Sequence, residues 1–572
     1  MKKIIGLSII ATCFAAASGY AQQAPRGDRP QQSFREDALD PTPVNPSVDP
    51  NVDMFINDYK NAKPRTMYGR LVFRDILTNL DGANPVRPAR KGAVLSDITA
   101  VSYATLAPGG AAEGRVPQGD VQIFYATAGE GKITVNSKSY DVKEGVGFTL
   151  TPNFDFKLTS TGKEPLAFYV RAQPLPENYK LSPDLVVVNR FDLDRKIGAH
   201  WVHTCNGGPN GMDLCTIPPF TMPQPHSHAG EEAWIMVKGE TILTLGKNLR
   251  HMVPGEAYKI PPTGITAHSN INLGDEPVEM IYMGPLSRGP RGAGGPPDGR
   301  DFARLDNGRI NPATDPDPDM FMGNWHDSYP RMMYGNVYFR DMLTSLDGPD
   351  SLHPIRKGAV LTNAVAVSYA MLEPGSTAHP IEGELNGIEQ CFVVNSGNGV
   401  IKSGSGTFDL SKGKAFIITP GLDFRMTATG DHYLTFYVVT QKLPGGFTPG
   451  TTLDVVDNSE KPQVTNAWYD KERALITKSD GLSQYSALTE VELPSMTMSR
   501  PYSDAPGVEE IWIVTDGDVN MLFGKELRKI PAGTAYRIPS TGITAHANIN
   551  TSGAMAHFLY MVADNSQALA NR

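Results

Sequence analysis

The sequence contains few of the residues that mark several common protein classes. Only four cysteines occur among 572 residues, which excludes a fold held together mainly by disulfide bonds. The 52 Lys and Arg residues are outnumbered by 61 Asp and Glu, and no basic stripe is interleaved with aromatic residues. The net charge of −9 argues against nucleic acid as a partner. No apolar run after residue 21 is long enough for a membrane helix.

Glycine and proline, in contrast, are abundant, with 56 and 46 residues. Both favour turns over long helices. The chain also far exceeds the ~250–300 residues at which one hydrophobic core stops growing, so several domains are expected.

Residues 1–21 are predicted to be a cleaved signal peptide. Lys2 and Lys3 precede the apolar run IIGLSIIATCFAAAS, and a small-residue cleavage site ends at Ala21. Thr12 stands before Cys13, where a lipid-attachment signal has a smaller residue, so we do not expect a lipoprotein. The protein is therefore expected to be periplasmic or secreted.

The remaining chain contains one long unit written twice. The segment DMFINDYKNAKPRTMYGRLVFRDILTNLDG begins at Asp53, and DMFMGNWHDSYPRMMYGNVYFRDMLTSLDG begins at Asp319. Within each unit, apolar runs of strand length alternate with turn signals, which is typical of all-β sandwiches and barrels. Two stretches in the first unit, NVDMFINDY and FRDILTNL, are predicted to form short helices.

This repeat gives a domain map with four barrels. Barrel 1 covers residues 49–175, barrel 2 covers 176–285, barrel 3 covers 316–442 and barrel 4 covers 443–565. Residues 22–48 are predicted to be a disordered arm, and the Gly- and Pro-rich residues 286–315 a linker.

The stretch PHSHAGEEAWIMVKG, residues 225–239, concentrates metal-binding chemistry. His226 and His228 point to the same side of an extended strand, and Glu232 joins them if the hairpin register holds. His268, in a later strand and turn, is the candidate for a fourth metal ligand. Three imidazole nitrogens and one carboxylate oxygen suit Fe, Mn, Zn or Ni rather than calcium. We therefore expect one divalent transition metal per chain.

These residues resemble the two sequence motifs of the cupin superfamily. The first motif matches at His226, His228, Glu232 and Gly239. The second matches GEAYKIPPTGITAHSNIN, with one extra residue before the proline and one before His268. The resemblance covers residues 180–285 directly, and it implies a small antiparallel barrel that holds a metal on the matched positions. Through the repeat, the predicted fold is all-β: four cupin-type barrels (double-stranded β-helices, or jelly rolls) in two tandem bicupin units.

The other three barrels lack the complete motif. Barrel 4 has Tyr502 and Asp504 at the histidine positions, although Glu510 and His546 remain, so we expect it to be empty or weakly loaded. Gln122 and Gln390 stand at the glutamate position of barrels 1 and 3, which are predicted to bind no metal.

Two further predictions concern side chains near the motif. Cys205 and Cys215 flank the turn-rich segment NGGPNGMDL, and in an oxidising compartment they are expected to form a disulfide. Trp234 either walls the pocket, where it could stack on a sugar ring, or is an ordinary core residue.

The first functional hypothesis is an exported metal-dependent enzyme that isomerises a small sugar or sugar acid, or eliminates a group from it. One alternative is an iron-dependent dioxygenase or decarboxylase of the bicupin type. Another is a non-catalytic carbohydrate-binding or scaffold protein with a structural metal. The expected partner is a small carbohydrate or carboxylic acid, and a homo-oligomer is compatible with the sequence.

Overall fold

The computed structural model describes residues 50–175, 179, 181–193, 195–197, 204–206, 211–223, 225, 230–264, 266–284, 316–465, 471–524, 526–541 and 544–564. These residues form mainly antiparallel sheets joined by turns, which confirms the predicted all-β class. In the ranges given, no helix has the length and apolar character needed to cross a membrane.

The described residues of the first half form 22 strands. They are β1 Ile56–Asp58, β2 Pro64–Met67, β3 Leu71–Asn79, β4 Ala93–Leu95, β5 Ala100–Leu106, β6 Ala111–Gly114, β7 Asp120–Ala128, β8 Glu130–Val135, β9 Lys138–Lys143, β10 Val146–Leu150, β11 Phe156–Ser160, β12 Leu166–Pro174, β13 Val186–Asn189, β14 Arg195–Ile197, β15 Thr204–Asn206, β16 Met212–Ile217, β17 Ala233–Lys238, β18 Thr241–Leu245, β19 Asn248–Met252, β20 Glu256–Lys259, β21 His268–Ile271 and β22 Val278–Met283.

The part of the second half that the structure describes repeats the pattern with another 22 strands. They are β23 Met322–Asn324, β24 Pro330–Met333, β25 Val337–Ser345, β26 Ala359–Leu361, β27 Ala364–Leu372, β28 Thr377–Ala378, β29 Ile388–Ser396, β30 Gly399–Ser403, β31 Gly406–Leu410, β32 Lys414–Ile418, β33 Arg425–Ala428, β34 Leu434–Lys442, β35 Val455–Asp457, β36 Lys471–Thr477, β37 Ala487–Leu493, β38 Thr497–Met498, β39 Val508–Asp516, β40 Val519–Phe523, β41 Glu526–Ile530, β42 Thr534–Ile538, β43 His546–Asn550 and β44 Ala556–Asp564.

Each barrel consists of a larger and a smaller sheet around an apolar interior. In barrel 1 the larger sheet runs β13-β10-β7-β12-β5-β3-β2, with β4 beside β3, and the smaller runs β6-β11-β8-β9. Three phenylalanines fill the space between them: Phe124 stacks on Phe148 with ring centroids 5.0 Å apart, and Phe168 meets Phe124 edge-on. Barrel 3 repeats this arrangement with Phe392, Phe416 and Phe436.

Neighbouring barrels exchange their edge strands. Strand β1 pairs with β20 of barrel 2, and β13 returns to pair with β10 of barrel 1. In the second half, β23 pairs with β42 and β35 pairs with β32. Residues 56–58 and 186–189 therefore complete the sheet of the barrel on the other side of the predicted boundary at residue 175.

The smaller sheets of barrels 2 and 4 join into one, in the order β21-β18-β19-β38-β43-β40-β41. Asn248 pairs with Thr497 at the junction, and Thr221 bridges to Glu526 in the equivalent place on the other side. Buried side chains from both barrels pack in the space that this sheet surrounds: Met222, Leu249, Ile271, Met498, Leu522, Leu527, Ala547 and Ile549. The two halves of the chain therefore meet through their even-numbered barrels.

Short 3-10 helices lie at Val52–Phe55, Tyr59–Asn61, Arg190–Asp192, Pro318–Phe321, Trp325–Asp327, Asn458–Glu460 and Lys478–Asp480. The first confirms the helical prediction for NVDMFINDY over Val52–Phe55, whereas Ile56–Asp58 of the same stretch forms β1. The prediction for FRDILTNL was wrong, because this stretch lies in β3. A register shift between Asp75 and Leu77 interrupts the alternation of β3, so its buried residues Phe73, Ile76 and Leu77 take a spacing that imitates a helix.

Candidate metal centre

Barrel 2 brings together the two described members of the predicted ligand set. Glu232 lies just before β17 and His268 begins β21, so they come from the larger and the smaller sheet. Glu232 Oε1 and His268 Nε2 are 3.6 Å apart, and both residues are buried. An ion bound to both atoms at ~2.1 Å would hold them roughly 3.0–3.4 Å apart, so this pair fits a shared divalent cation.

The chain segment that leads to His226 runs beside His268. Thr221 bridges to Asn272, and the backbone oxygen of Pro223 accepts a 2.5 Å hydrogen bond from Ser269 Oγ. These contacts hold Thr221 and Pro223 against β21 and Asn272. His226 and His228 themselves lie outside the described residues, so their part in the ligand set stays a prediction.

Trp234 holds Glu232 in position. Its indole Nε1 donates a 2.6 Å hydrogen bond to Glu232 Oε1, and its ring meets that of Tyr282 edge-on at 5.1 Å. Only 8% of Trp234 is exposed, because the ring belongs to the apolar core of barrel 2. The structure therefore shows Trp234 bonded to Glu232 and packed against Tyr282, and stacking on a sugar stays a prediction.

The neighbouring Glu231 faces away from this centre and fastens barrel 1 to barrel 2. Its carboxylate accepts hydrogen bonds of 2.6–2.7 Å from the backbone N–H groups of Ser96, Asp97 and Ile98, which follow β4. Lys259 Nζ lies 3.9 Å away and is almost fully buried. Burial lowers the pKa of Lys259, while the charge of Glu231 opposes that shift. Of the two adjacent glutamates, Glu232 is thus the candidate metal ligand, and Glu231 connects barrel 2 to barrel 1.

Tyr258 points inward where Lys259 points outward, as alternation along β20 requires. Tyr258 is fully buried, and its hydroxyl accepts a 2.6 Å hydrogen bond from Asn270 Nδ2. Burial raises the pKa of Tyr258 well above its usual value, so its phenol stays neutral inside the barrel.

Barrel 4 contains a related cluster with different chemistry. Glu510 Oε1 accepts hydrogen bonds from Trp512 Nε1 at 2.5 Å and from Tyr502 OH at 2.7 Å, and it lies 3.2 Å from His546 Nε2. Burial and the charge of Glu510 raise the pKa of the nearby Asp504 to about 8. Burial alone would raise the pKa of Glu510 as well, but His546 lowers it below its usual value. The protonation states of Asp504, Glu510 and His546 therefore depend on one another, because the three groups pack closely.

Barrels 1 and 3 fill the equivalent position with a tyrosine. Backbone pairing places Gln122 opposite Leu150 and Gln390 opposite Ile418, the same sheet position that Glu510 takes opposite Ile538. Tyr68 OH donates to Gln122 Oε1 at 3.0 Å, and Tyr334 OH donates to Gln390 Oε1 at 2.5 Å. Each phenol therefore lies beside the glutamine at the glutamate position of its barrel, and the absence of metal from barrels 1 and 3 stays a prediction.

Both tyrosines are the central residues of the repeated MYG motif, at residues 67–69 and 333–335. The sequence analysis did not identify them as residues of the barrel interior. Tyr68 has φ 53° and Tyr334 has φ 55°, a left-handed conformation that non-glycine residues rarely adopt. This turn directs the ring into its barrel, where Tyr334 meets Phe424 edge-on at 5.3 Å. The FRD aspartates are structural: Asp75 pairs with Arg65 at 2.6 Å and Asp341 with Arg331 at 2.7 Å.

For the predicted disulfide between Cys205 and Cys215, the structure describes the backbone pairing of the two residues. Cys205 and Cys215 are direct partners across the β15–β16 pair. The side chain of Cys205 lies outside the described residues, so the disulfide stays a prediction. Cys391 is a free thiol in the core of the second half, and burial raises its pKa well above the usual value.

Comparisons with known proteins give one family match and several distant structural resemblances. The family described as Cupin domain matches residues 213–284. No curated protein sequence matches the chain significantly. Three solved structures resemble parts of it at low identity: protein Ylba from E. coli (14% identity, TM-score 0.33, 45% of this chain and 100% of that chain), a Bacillus subtilis oxalate decarboxylase variant (13%, 0.31, 40% and 77%) and Lactobacillus farciminis oxalate decarboxylase bound to formate (12%, 0.32, 44% and 90%).

The matched segment spans β16 to β22 and includes both Glu232 and His268. Residues 213–284 of this chain therefore match the cupin domain family.

Proposed function

We propose that barrel 2 is the active site of an exported, metal-dependent enzyme that isomerises a small sugar or sugar acid or eliminates a group from it. The observation that carries the proposal is the buried pair of Glu232 Oε1 and His268 Nε2, 3.6 Å apart inside the barrel. Glu232 and His268 would hold the ion together with His226 and His228. A divalent ion bound there supplies a Lewis acid that can polarise a carbonyl or carboxylate oxygen.

The residues around this pair prepare it for binding. Trp234 Nε1 occupies one direction at Glu232 Oε1 and so limits how the carboxylate can turn. Tyr258 keeps its proton at Oη and can act as a hydrogen-bond donor, since its pKa is well above neutral. Apolar side chains such as Met236 and Leu243 exclude bulk water from the interior, which strengthens electrostatic interactions at the site.

The proposal of a sugar or sugar-acid substrate rests on the predicted metal ligands of barrel 2. A hydroxy acid presents two adjacent oxygens that could bind one cation held by these protein ligands. Export of the chain, as its first 21 residues suggest, would give it access to breakdown products of this class. A dioxygenase would consume oxygen and a decarboxylase would release carbon dioxide. Assays for these two gases therefore distinguish the alternative enzymes from an isomerase or lyase.

The test starts with metal analysis of the purified mature protein and of His226→Ala/His228→Ala. We expect transition metal in the wild type and its loss in the variant, with circular dichroism unchanged because barrel cores are apolar. A panel of sugar acids is then incubated with wild type, Glu232→Gln and the exposed control Glu240→Gln. Loss of turnover in Glu232→Gln alone supports the proposal. Oxygen uptake or carbon dioxide release would instead identify a dioxygenase or a decarboxylase, and equal metal content in the histidine variant would reject the site.

A further inference from the structure

A buried carboxylate lies between barrels 3 and 4, outside the interior of either barrel. Glu389 precedes Gln390 in β29, so its side chain points to the opposite face of the sheet, where it is 0% exposed. Its Oε1 atom accepts hydrogen bonds from the side-chain Nε2 of Gln441 in barrel 3 and, at 2.9 Å, from the backbone N–H of Ser483 in barrel 4. Glu389 therefore connects the two barrels at a place that bulk water does not reach.

Three oxygen atoms around this carboxylate have no hydrogen-bond partner among the described residues. They are Glu389 Oε2, Gln441 Oε1 and Ser483 Oγ. In the described part of the chain, no Lys, Arg or His side chain forms an ion pair with Glu389. A buried charge without a counter-ion is costly, and so is a buried acceptor without a donor. The three oxygens therefore offer a site to a positively charged group.

The two halves of the chain place different residues at this position. Backbone pairing sets Val121 opposite Gln173 in barrel 1 and Glu389 opposite Gln441 in barrel 3. The two pairs therefore occupy equivalent positions, and the glutamine is common to both halves. The carboxylate is the difference, because barrel 1 has an apolar valine where barrel 3 has a glutamate.

Barrel 1 places a positive charge beside its copy of the shared glutamine. Arg171 lies two residues before Gln173 in β12, is fully buried, and donates from Nη2 to Gln173 Oε1. Burial lowers the pKa of Arg171 to about 10, while the charge of Glu231 opposes that shift. The corresponding residue of β34 is Val439, which carries no charge. The glutamine oxygen thus accepts from a cation in the first half, whereas Gln441 Oε1 has no such donor.

We infer that Glu389 Oε2, Gln441 Oε1 and Ser483 Oγ bind one alkali cation, K⁺ or Na⁺, between barrels 3 and 4. One carboxylate and two neutral oxygens balance a single positive charge, and hard cations prefer such oxygen ligands. A buried water molecule would donate to these oxygens but would leave the charge of Glu389 uncompensated. The ion takes the place that the Arg171 guanidinium has beside the shared glutamine. This site goes beyond the proposed function, since it lies outside barrel 2 and stabilises the contact between two other barrels.

The first experiment measures whether alkali ions stabilise the full mature chain through this carboxylate. Melting temperatures are recorded in KCl, NaCl and tetramethylammonium chloride at equal ionic strength. We expect wild type to melt a few degrees higher in at least one alkali salt, with a saturable dependence on its concentration. Glu389→Gln should lose this difference, and Asp409→Asn, at an exposed position of the same barrel, should keep it. Equal melting temperatures of wild type in all three salts would overturn the inference.

A second variant tests the comparison between the two halves. Val439→Arg gives barrel 3 the residue that barrel 1 has at Arg171. We expect the circular dichroism spectrum of wild type and a melting temperature that no longer depends on the choice of salt, because the guanidinium replaces the ion. An alkali effect of wild-type size in this folded variant would contradict the site.

Crystals of the wild-type chain grown with Tl⁺, a heavy monovalent ion, locate the cation without any substitution. Anomalous scattering should give a peak in contact with Glu389 Oε2, Gln441 Oε1 and Ser483 Oγ. A water molecule at that position, with no Tl⁺ signal, would reject the inference. Neither result bears on the metal of barrel 2, so the proposed function stands or falls separately.

Discussion

Glu509 and Glu510 are consecutive residues of β39, yet their carboxylates lie on opposite faces of the sheet and serve different purposes. Glu509 accepts hydrogen bonds from the backbone of Asn363 and Ala364 and from the hydroxyl of Tyr485, and so links barrel 4 to barrel 3. Glu510 points into barrel 4 toward His546. Glu231 and Glu232 show the same division in the first half.

The first prediction follows from the structural glutamate. Glu231→Gln should lower the free energy of unfolding by about 3 kcal/mol, because a neutral amide cannot accept from three backbone N–H groups on both of its atoms and because it removes the negative charge nearest to Lys259. Urea unfolding measures the change. The exposed control Glu240→Gln should stay within ~0.5 kcal/mol of wild type. Equal stability of the two variants would mean that these bonds contribute little.

Much of the fold could be predicted from the sequence, because alternation and repeats are local or periodic signals. The four barrels and the pairing of Glu232 with His268 depend on such signals. The join between β19 and β38 could not be predicted, since it depends on which barrel faces meet across more than 200 residues. Tyr334 was missed for a related reason, because its burial depends on a left-handed backbone angle that an MYG motif alone does not specify.

A second prediction concerns the residue that restrains the candidate ligand. Trp234→Phe keeps the ring but removes the N–H that donates to Glu232. We expect transition-metal affinity at barrel 2 to fall by roughly 10-fold, since such supporting contacts typically account for 10–100-fold. Competition with a chelator measures the affinity. Trp512→Phe, the matched change in barrel 4, should leave the barrel 2 metal untouched, and an equal loss in both variants would contradict the assignment.

Alkaline pH should destabilise the protein through Tyr125. Burial raises the pKa of this phenol to about 12, and only 5% of the residue is exposed. Between about pH 10 and 12 the unfolded chain releases the phenolic proton while the folded chain keeps it, so rising pH favours unfolding. The loss should be on the order of 2 kcal/mol.

Comparison of Tyr125→Phe with wild type isolates this contribution. The variant should lose less stability than wild type over the same pH range, as measured by urea unfolding at each pH. Tyr329→Phe, at a position that is 94% exposed, is the control and should follow wild type. A variant curve parallel to that of wild type would show that the phenol titrates normally.

The last prediction concerns the contact between the two halves. Proteolysis should cut first within residues 286–315, and the resulting halves should still elute together, because β19 pairs with β38 and a shared apolar core lies between barrels 2 and 4. Leu249→Asp should separate them after cleavage, since it buries a charge in that core, where Leu249 is 1% exposed. Leu181→Asp, a change at a position that is 44% exposed, should leave the halves together.

Size-exclusion chromatography with light scattering distinguishes the two sizes, and circular dichroism shows whether each half stays folded. Halves that separate without any substitution would show that the joined sheet is too weak to hold the even-numbered barrels together.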